Sequence, residues 1–217
     1  MISLEWHARL RRSPLSEWIV DLKDTADYVR WRRSKIAQST CALQKRYAIL
    51  DLLRAYNLQL IIETGTFLGD MAAFLSRRGY AVITIEIDAK LAAFARARFD
   101  GNKKIRLIEG DSGALLPAIV SDIDRPALFY LDAHYSGPGT GKGSSDTPIS
   151  KETDTILAHA PRGSVVVIDD ARCFGTLPDY PPLEEFIDAL RARGISDVNV
   201  INDAIVFSVP NRNRATI

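Results

Sequence analysis

From residue 59 onward the chain repeats one texture, a short apolar run followed by a stretch of helical spacing. The runs are Leu60-Ile61-Ile62, Ala81-Val82-Ile83-Thr84-Ile85, Ile105-Arg106-Leu107-Ile108, Ala127-Leu128-Phe129-Tyr130-Leu131 and Val165-Val166-Val167-Ile168. Near-continuous hydrophobicity over so few residues suits strands covered on both faces, as in a parallel sheet. The stretches near 69–78, 89–99, 113–120 and 149–160 suit the covering helices. Strands alternating with helices predict a Rossmann-like, doubly wound α/β fold.

The end of the chain restricts the topology further. A helical pattern from about Leu183 to Arg193 stops at Gly194, which suits a left-handed cap. Two strand-like runs follow, Val198–Ile201 and Ala204–Ser208, joined only by Asn202-Asp203. A parallel crossover needs a dozen or more residues, so the last strand must run antiparallel. The expectation is a seven-stranded sheet, mostly parallel with an antiparallel last strand, over residues 59–217.

Residues 1–58 read as an N-terminal helical extension, with no Gly and only Pro14. One helix carries Trp18, Ile19, Leu22, Ala26, Tyr28 and Val29 at helical spacing, with Ser16 as its cap and Glu17 in its first turn. A second runs from about Thr40 to Tyr56 with Leu43, Tyr47, Leu50 and Leu53 on one side. The formal net charge is +1, which offers no global attraction for nucleic acid or a membrane. No apolar run reaches the roughly 18–20 residues that span a bilayer, and the first residues lack a signal-peptide pattern. Cys41 and Cys173 lie far apart and form no CxxC pair. These features make the cytoplasm the expected location.

Chemistry gathers at the predicted strand ends. Glu63-Thr64-Gly65-Thr66-Phe67-Leu68-Gly69 follows the first sheet strand and opens a helix. Gly65 and Gly69 allow a tight turn and close backbone approach, and Glu63 can bond a ligand ammonium or hydroxyl. Glu86 ends the next strand, about 20 positions on, where a carboxylate holds a ribose diol. In Gly110-Asp111-Ser112, Asp111 is the candidate for the adenine edge, and Ser112 either joins it or caps the following helix. Asp132 and Asp169-Asp170 end the next two strands, so three carboxylates share one crevice and repel unless a cation or proton joins them. Their hard oxygens suit Mg²⁺ or Ca²⁺. Both Asp169 and Asp170 can contribute only if the strand has already turned into loop. His134 is a candidate general base.

Two other nucleotide sites fit the sequence less well, and an NAD-dependent oxidoreductase is kept as the less favoured alternative. The spacing at 65–70 is not the G-x-G-x-x-G of nicotinamide-binding folds, because Phe67 and Asp70 stand at decisive positions, and this counts against an NAD-dependent oxidoreductase. The segment Ser136–Ser145 lacks a P-loop's first Gly and its Ser/Thr after Lys142. It reads as a lid with Lys142 near its tip.

Over about residues 59–209 the chain resembles class I methyltransferases that use S-adenosylmethionine (SAM), and most closely their metal-dependent catechol O-methyltransferase-like branch. Glu63 to Gly69, with Phe67 where other methyltransferases often carry a glycine, is similar to that branch's first motif. Thr84-Ile85-Glu86-Ile87 is similar to its ribose-binding strand end, and Gly110-Asp111-Ser112 to its adenine-side segment. The resemblance implies SAM binding by Glu63, Gly65, Thr66, Phe67, Gly69, Glu86, Ile87, Asp111, Ser112 and Asp132. It also implies a divalent cation, Mg²⁺ or Ca²⁺, on Asp132, Asp169 and Asp170, and O-methylation of a small hydroxylated acceptor. Catechol-type enzymes carry a catalytic Lys three positions after the first metal Asp, where this chain has Tyr135. His134, Lys142, Tyr135 or the metal itself is then left to handle the proton. A SAM-binding protein of the same fold that needs no metal, or has no catalytic activity, is the alternative. Its basic positions Arg9, Arg11, Arg12, Arg30, Arg32, Arg33 and Lys35 would dock a partner. The expected partner is the small-molecule acceptor alone, with a homodimer left open.

Overall fold

Five apolar runs with turn residues at their ends become five parallel strands, because only a sheet covered on both faces satisfies such runs. The structure is a computed structural model that describes residues 14–34, 40–132, 148–177 and 179–210. In chain order the elements are α1 Pro14–Ser34, α2 Ala42–Ala55, β1 Leu60–Thr64, α3 Asp70–Arg77 and β2 Ala81–Glu86. They continue with α4 Ala89–Arg98, β3 Ile105–Glu109, α5 Ser112–Asp122, β4 Leu128–Leu131, α6 Ile149–His159 and β5 Val165–Ile168. A single 3₁₀ turn at Ala171–Cys173 leads to α7 Leu183–Ala192, β6 Val198–Ile201 and β7 Ala204–Ser208.

The sheet has seven strands in the order β3-β2-β1-β4-β5-β7-β6. Strands β1 to β5 pair in parallel, and β7 runs antiparallel to both β5 and β6. The hairpin link is as tight as its length requires, with Asn202 and Asp203 both at positive φ (51° and 62°). Chain reversal between β1 and β4 places the switch point of the sheet between those strands, which is where ligands enter sheets of this kind.

Each face of the sheet carries its own core. On one face Ile62, Phe129, Leu131, Val166 and Ile168 pack with Leu116 of α5, Ile156 of α6 and Leu190 of α7. On the other, Ile61, Leu128, Tyr130, Val165 and Val167 pack with Ile49, Leu50 and Leu53 of α2 and with Phe74 and Leu75 of α3. Burying such side chains contributes about 1.5–3 kcal/mol apiece. Helix α2 therefore shares a core with the sheet.

Helix α1 departs from the expectation in two ways. It begins at Pro14, a residue whose fixed φ suits a first turn, so Ser16 lies inside the helix and is not its cap. Its inward face is also different: Val20 and Asp24 are buried, while Ile19 and Leu22 are 49% and 74% exposed. The reason is an ion pair. Asp24 meets Arg46 of α2, both are buried, and Arg46 also faces Asp70 at 3.7 Å. Leaving Arg46 unpaired in the interior would cost more than exposing a few aliphatic side chains, so the pair sets the rotation of the helix. Among the described residues no helix is long and apolar enough to cross a membrane.

Candidate active site at the carboxyl ends of the strands

The turn after β1 is held from beneath by β2. Gly65 N–H and Thr66 N–H both donate to the Ile85 carbonyl, at 2.9 and 3.1 Å, and Gly69 N–H donates to Thr66. Gly69 adopts φ 74°, and a Cβ there would fall 2.3 Å from the Phe99 ring, so the position tolerates no side chain. Phe67 sits at the tip with φ 50°, an uncommon conformation for an aromatic residue, and its ring is exposed. Glu86 stabilises that conformation. Its Oε2 accepts from Phe67 N–H at 2.7 Å and its Oε1 from Asp88 N–H at 2.9 Å. The carboxylate is thus buried at the rim of the turn, with lone pairs beyond the two amide bonds for a diol. Burial raises its pKa, against the opposing pull of the Asp88 and Phe67 amides. Ile87, half-buried, is the next residue on that rim.

A polar row runs below the turn on the α2 face of the sheet. Thr84, Glu63 and Tyr130 are register partners across β2, β1 and β4. Thr84 Oγ1 donates to Glu63 Oε2 at 2.6 Å and stands 2.6 Å from Thr66 Oγ1. Burial pushes Glu63 up to about 8, the Thr84 hydroxyl partly offsets this, and the charges of Asp132 and Glu86 add to the rise. Burial thus favours the protonated acid at Glu63, and an arriving cation would favour the carboxylate.

After β3, Asp111 is the N-cap of α5, its Oδ1 accepting from Gly113 N–H at 2.8 Å. Ser112 does not cap. It is the helix's first residue, buried, and its hydroxyl bonds Glu152 of α6. Glu152 is fully buried on the face opposite Glu63, also receives Thr64 Oγ1 at 3.5 Å, and is raised to about 7 by its burial.

The acidic trio lies at the ends of β4 and β5. Asp132 N–H donates to Thr64 O and Asp169 N–H to Leu131 O, which continues the sheet by one pair on each strand. Strand β5 ends at Ile168 and Asp170 adopts left-handed φ 56°, so the chain has turned and both neighbouring carboxylates face one point. That point is filled by Lys45 of α2. Its Nζ donates to Asp169 Oδ2 at 2.7 Å and to Asp170 Oδ1 at 2.9 Å. Tyr130 donates its hydroxyl to Asp169 and, at 3.3 Å, to Asp132. Arg172 bonds Asp170 Oδ1 at 2.7 Å and also Asp203. Burial works against the Lys45 ammonium, but Asp169 and Asp170 outweigh it and hold its pKa above the ordinary value. Asp169 is pushed up to about 6 by burial and by Asp132. Asp170 is less deeply placed and shares two cations, so Lys45 and Arg172 overcome burial and hold it low. Next to this cluster a cavity of about 280 Å³ opens between α2 and the sheet, lined by Ile49, Leu52, Val167 and Val206 together with Lys45 and Asp169.

Neither a protein-family model nor a curated protein matches the chain. Solved structures do. An O-methyltransferase from Bacillus cereus in complex with SAH matches at TM-score 0.61 and 17% identity over 90% of both chains. The chain has the methyltransferase fold. A Podospora anserina methyltransferase bound to SAH matches at TM-score 0.59 and 18% identity, over 86% of this chain and 87% of that one. The O-methyltransferase TomG of Streptomyces achromogenes, in complex with SAM, matches at 0.58 and 23%, over 80% and 82%. At these identities the likeness concerns architecture.

The strand-end positions singled out in the sequence are brought to one end of the sheet: Glu63, Gly65, Thr66, Phe67, Gly69, Glu86, Ile87, Asp111, Ser112, Asp132, Asp169 and Asp170. His134, Tyr135 and Lys142 lie outside the described residues. Sequence reasoning missed Lys45 and Tyr130. Lys45 had no local signal, since its partners are 124 and 125 residues away. Tyr130 had one: a hydroxyl inside a buried run needs a partner, and a residue two positions before Asp132 on a strand shares its face.

Proposed function

We propose that the protein is a SAM-dependent methyltransferase acting on a hydroxyl oxygen of a small acceptor. The observation that carries this reading is the Glu86 carboxylate, fastened to the tip of the glycine turn through Phe67 N–H and to Asp88 N–H at the end of the neighbouring strand. A ribose diol at Glu86 would place the methionine part of the cofactor over the Gly65–Gly69 turn, with its ammonium toward Glu63. The adenine would lie toward Asp111 and Ser112, and the sulfonium toward Asp132. The fold shared with structures that hold SAM or SAH supports the same reading. Methyl transfer breaks the sulfonium S–CH₃ bond and forms O–CH₃ in line, leaving SAH and releasing the acceptor's hydroxyl proton to solvent. Holding the two reactants aligned is the protein's main contribution, worth about 7–11 kcal/mol in favourable cases. The acceptor's apolar body suits the cavity walls of Ile49, Leu52, Val167 and Val206.

A divalent cation on Asp132, Asp169 and Asp170 does not fit the residues as they stand. The facing oxygens of Asp169 and Asp170 are already joined by the Lys45 ammonium. Among the described residues no group of three His, Cys, Asp or Glu converges to hold a metal. SAM titration by calorimetry tests the cofactor site: wild type binds with one site per chain, and Glu86→Ala weakens binding about tenfold or more, as loss of a charge-assisted diol contact does. Equal affinity in both proteins would contradict the placement of the ribose.

A further inference from the structure

We infer that the Lys45 ammonium is the resident cation of the Asp169–Asp170 pair and stands where a methyltransferase of this architecture would otherwise bind a divalent ion. The inference rests on the proposed methyltransferase reading for its functional meaning, but its geometry stands alone. A hard cation would sit about 2.0–2.6 Å from its carboxylate oxygens, between them. Lys45 Nζ occupies that position, 2.7 Å from Asp169 Oδ2 and 2.9 Å from Asp170 Oδ1. The side chain is only 21% exposed, and both carboxylates are buried. Two further features make the seat specific to an ammonium. Tyr130 spends its hydroxyl on Asp169 and Asp132, and Arg172 covers Asp170 from the other side. A divalent ion would have to enter beside an ammonium and near a guanidinium, against like-charge repulsion in a poorly solvated site.

The source of Lys45 matters as much as its position. It projects from the first turn of α2, and the same helix places Ile49, Leu50 and Leu53 in the core against the sheet. The helix fixes the Lys45 backbone, and the two ion pairs hold the ammonium at the end of its flexible stem. Of its three N–H donors two are spent on the carboxylates, and the remaining one is suited to an acceptor oxygen entering from the adjoining cavity. Such an oxygen would feel the positive charge that a metal supplies in metal-dependent chemistry, and its hydroxyl would lose its proton more easily.

The test is Mn²⁺ binding followed by electron paramagnetic resonance, using the full-length protein with wild type, Lys45→Met and Lys45→Gln compared. Wild type should show no saturable site at millimolar Mn²⁺. Removing the ammonium should take from Asp169 its cation and open the Asp169–Asp170 pair to Mn²⁺, with saturable binding about tenfold tighter than millimolar, abolished again by adding Asp169→Asn. Two variants are used so that one folding failure does not decide the matter. Saturable Mn²⁺ binding to wild type that Asp169→Asn removes would overturn the inference, as would the absence of any gained site in a folded Lys45 variant. SAM affinity, measured separately in EDTA, reports on the methyltransferase reading without reference to Lys45.

Discussion

At the scale of single residues, the site is governed by what burial does to carboxylates. Among the described residues Glu63 is bonded by the Thr84 hydroxyl, Arg46 acts on it only through space, and its burial raises it to about 8. A protonated acid there avoids another isolated negative charge beside Asp132 and Glu86. If the methionine ammonium of SAM pairs with Glu63, the pair forms only after the proton leaves. Binding at pH 7, below the raised value, must then release about one proton, and binding well above pH 8 should release almost none from this group. Calorimetry in buffers of different ionisation enthalpy reads that number directly, and Glu63→Gln should remove the release at pH 7. The turn that surrounds Glu63 was legible in the sequence because two glycines and an acid after an apolar run restrict the backbone strongly. Lys45 was not legible, because its meaning exists only once α2 lies across the ends of β4 and β5.

At the scale of elements, α1 and α2 differ in how they are attached. Helix α2 shares the core of the sheet, whereas α1 is oriented by one buried ion pair and leaves Ile19 and Leu22 in solvent. The periodicity of apolar residues identified both helices but misjudged which side of α1 faces inward, since spacing alone does not count the cost of a buried Arg46. The contrast is measurable. Leu53→Ala, at a fully buried position, should cost about 3 kcal/mol in urea unfolding. Leu22→Ala, at a side chain 74% exposed, should stay within about 0.5 kcal/mol of wild type. Equal effects would mean that α2 is as peripheral as α1. The strands, in contrast, were readable nearly to the residue, because continuous apolar runs of four to six residues have few other uses.

At the scale of the whole molecule, topology places the chemistry. Parallel strands bring all their carboxyl ends to one side, so residues as far apart as Glu63, Glu86, Asp132 and Asp169 meet without any local sequence relation. The two-residue link before β7 dictated the antiparallel closure, and that closure sets Asp203 beside Arg172 at the edge of the same site. The proposed function has this end of the sheet bind SAM without needing a metal. Native mass spectrometry of the purified protein in EDTA, with SAM and NAD offered together in equal amounts, tests it most directly. The account predicts a one-to-one complex with SAM, or with copurified SAH, and no NAD adduct. An NAD adduct with no SAM or SAH bound, or SAM bound only after Mg²⁺ is restored, would contradict it.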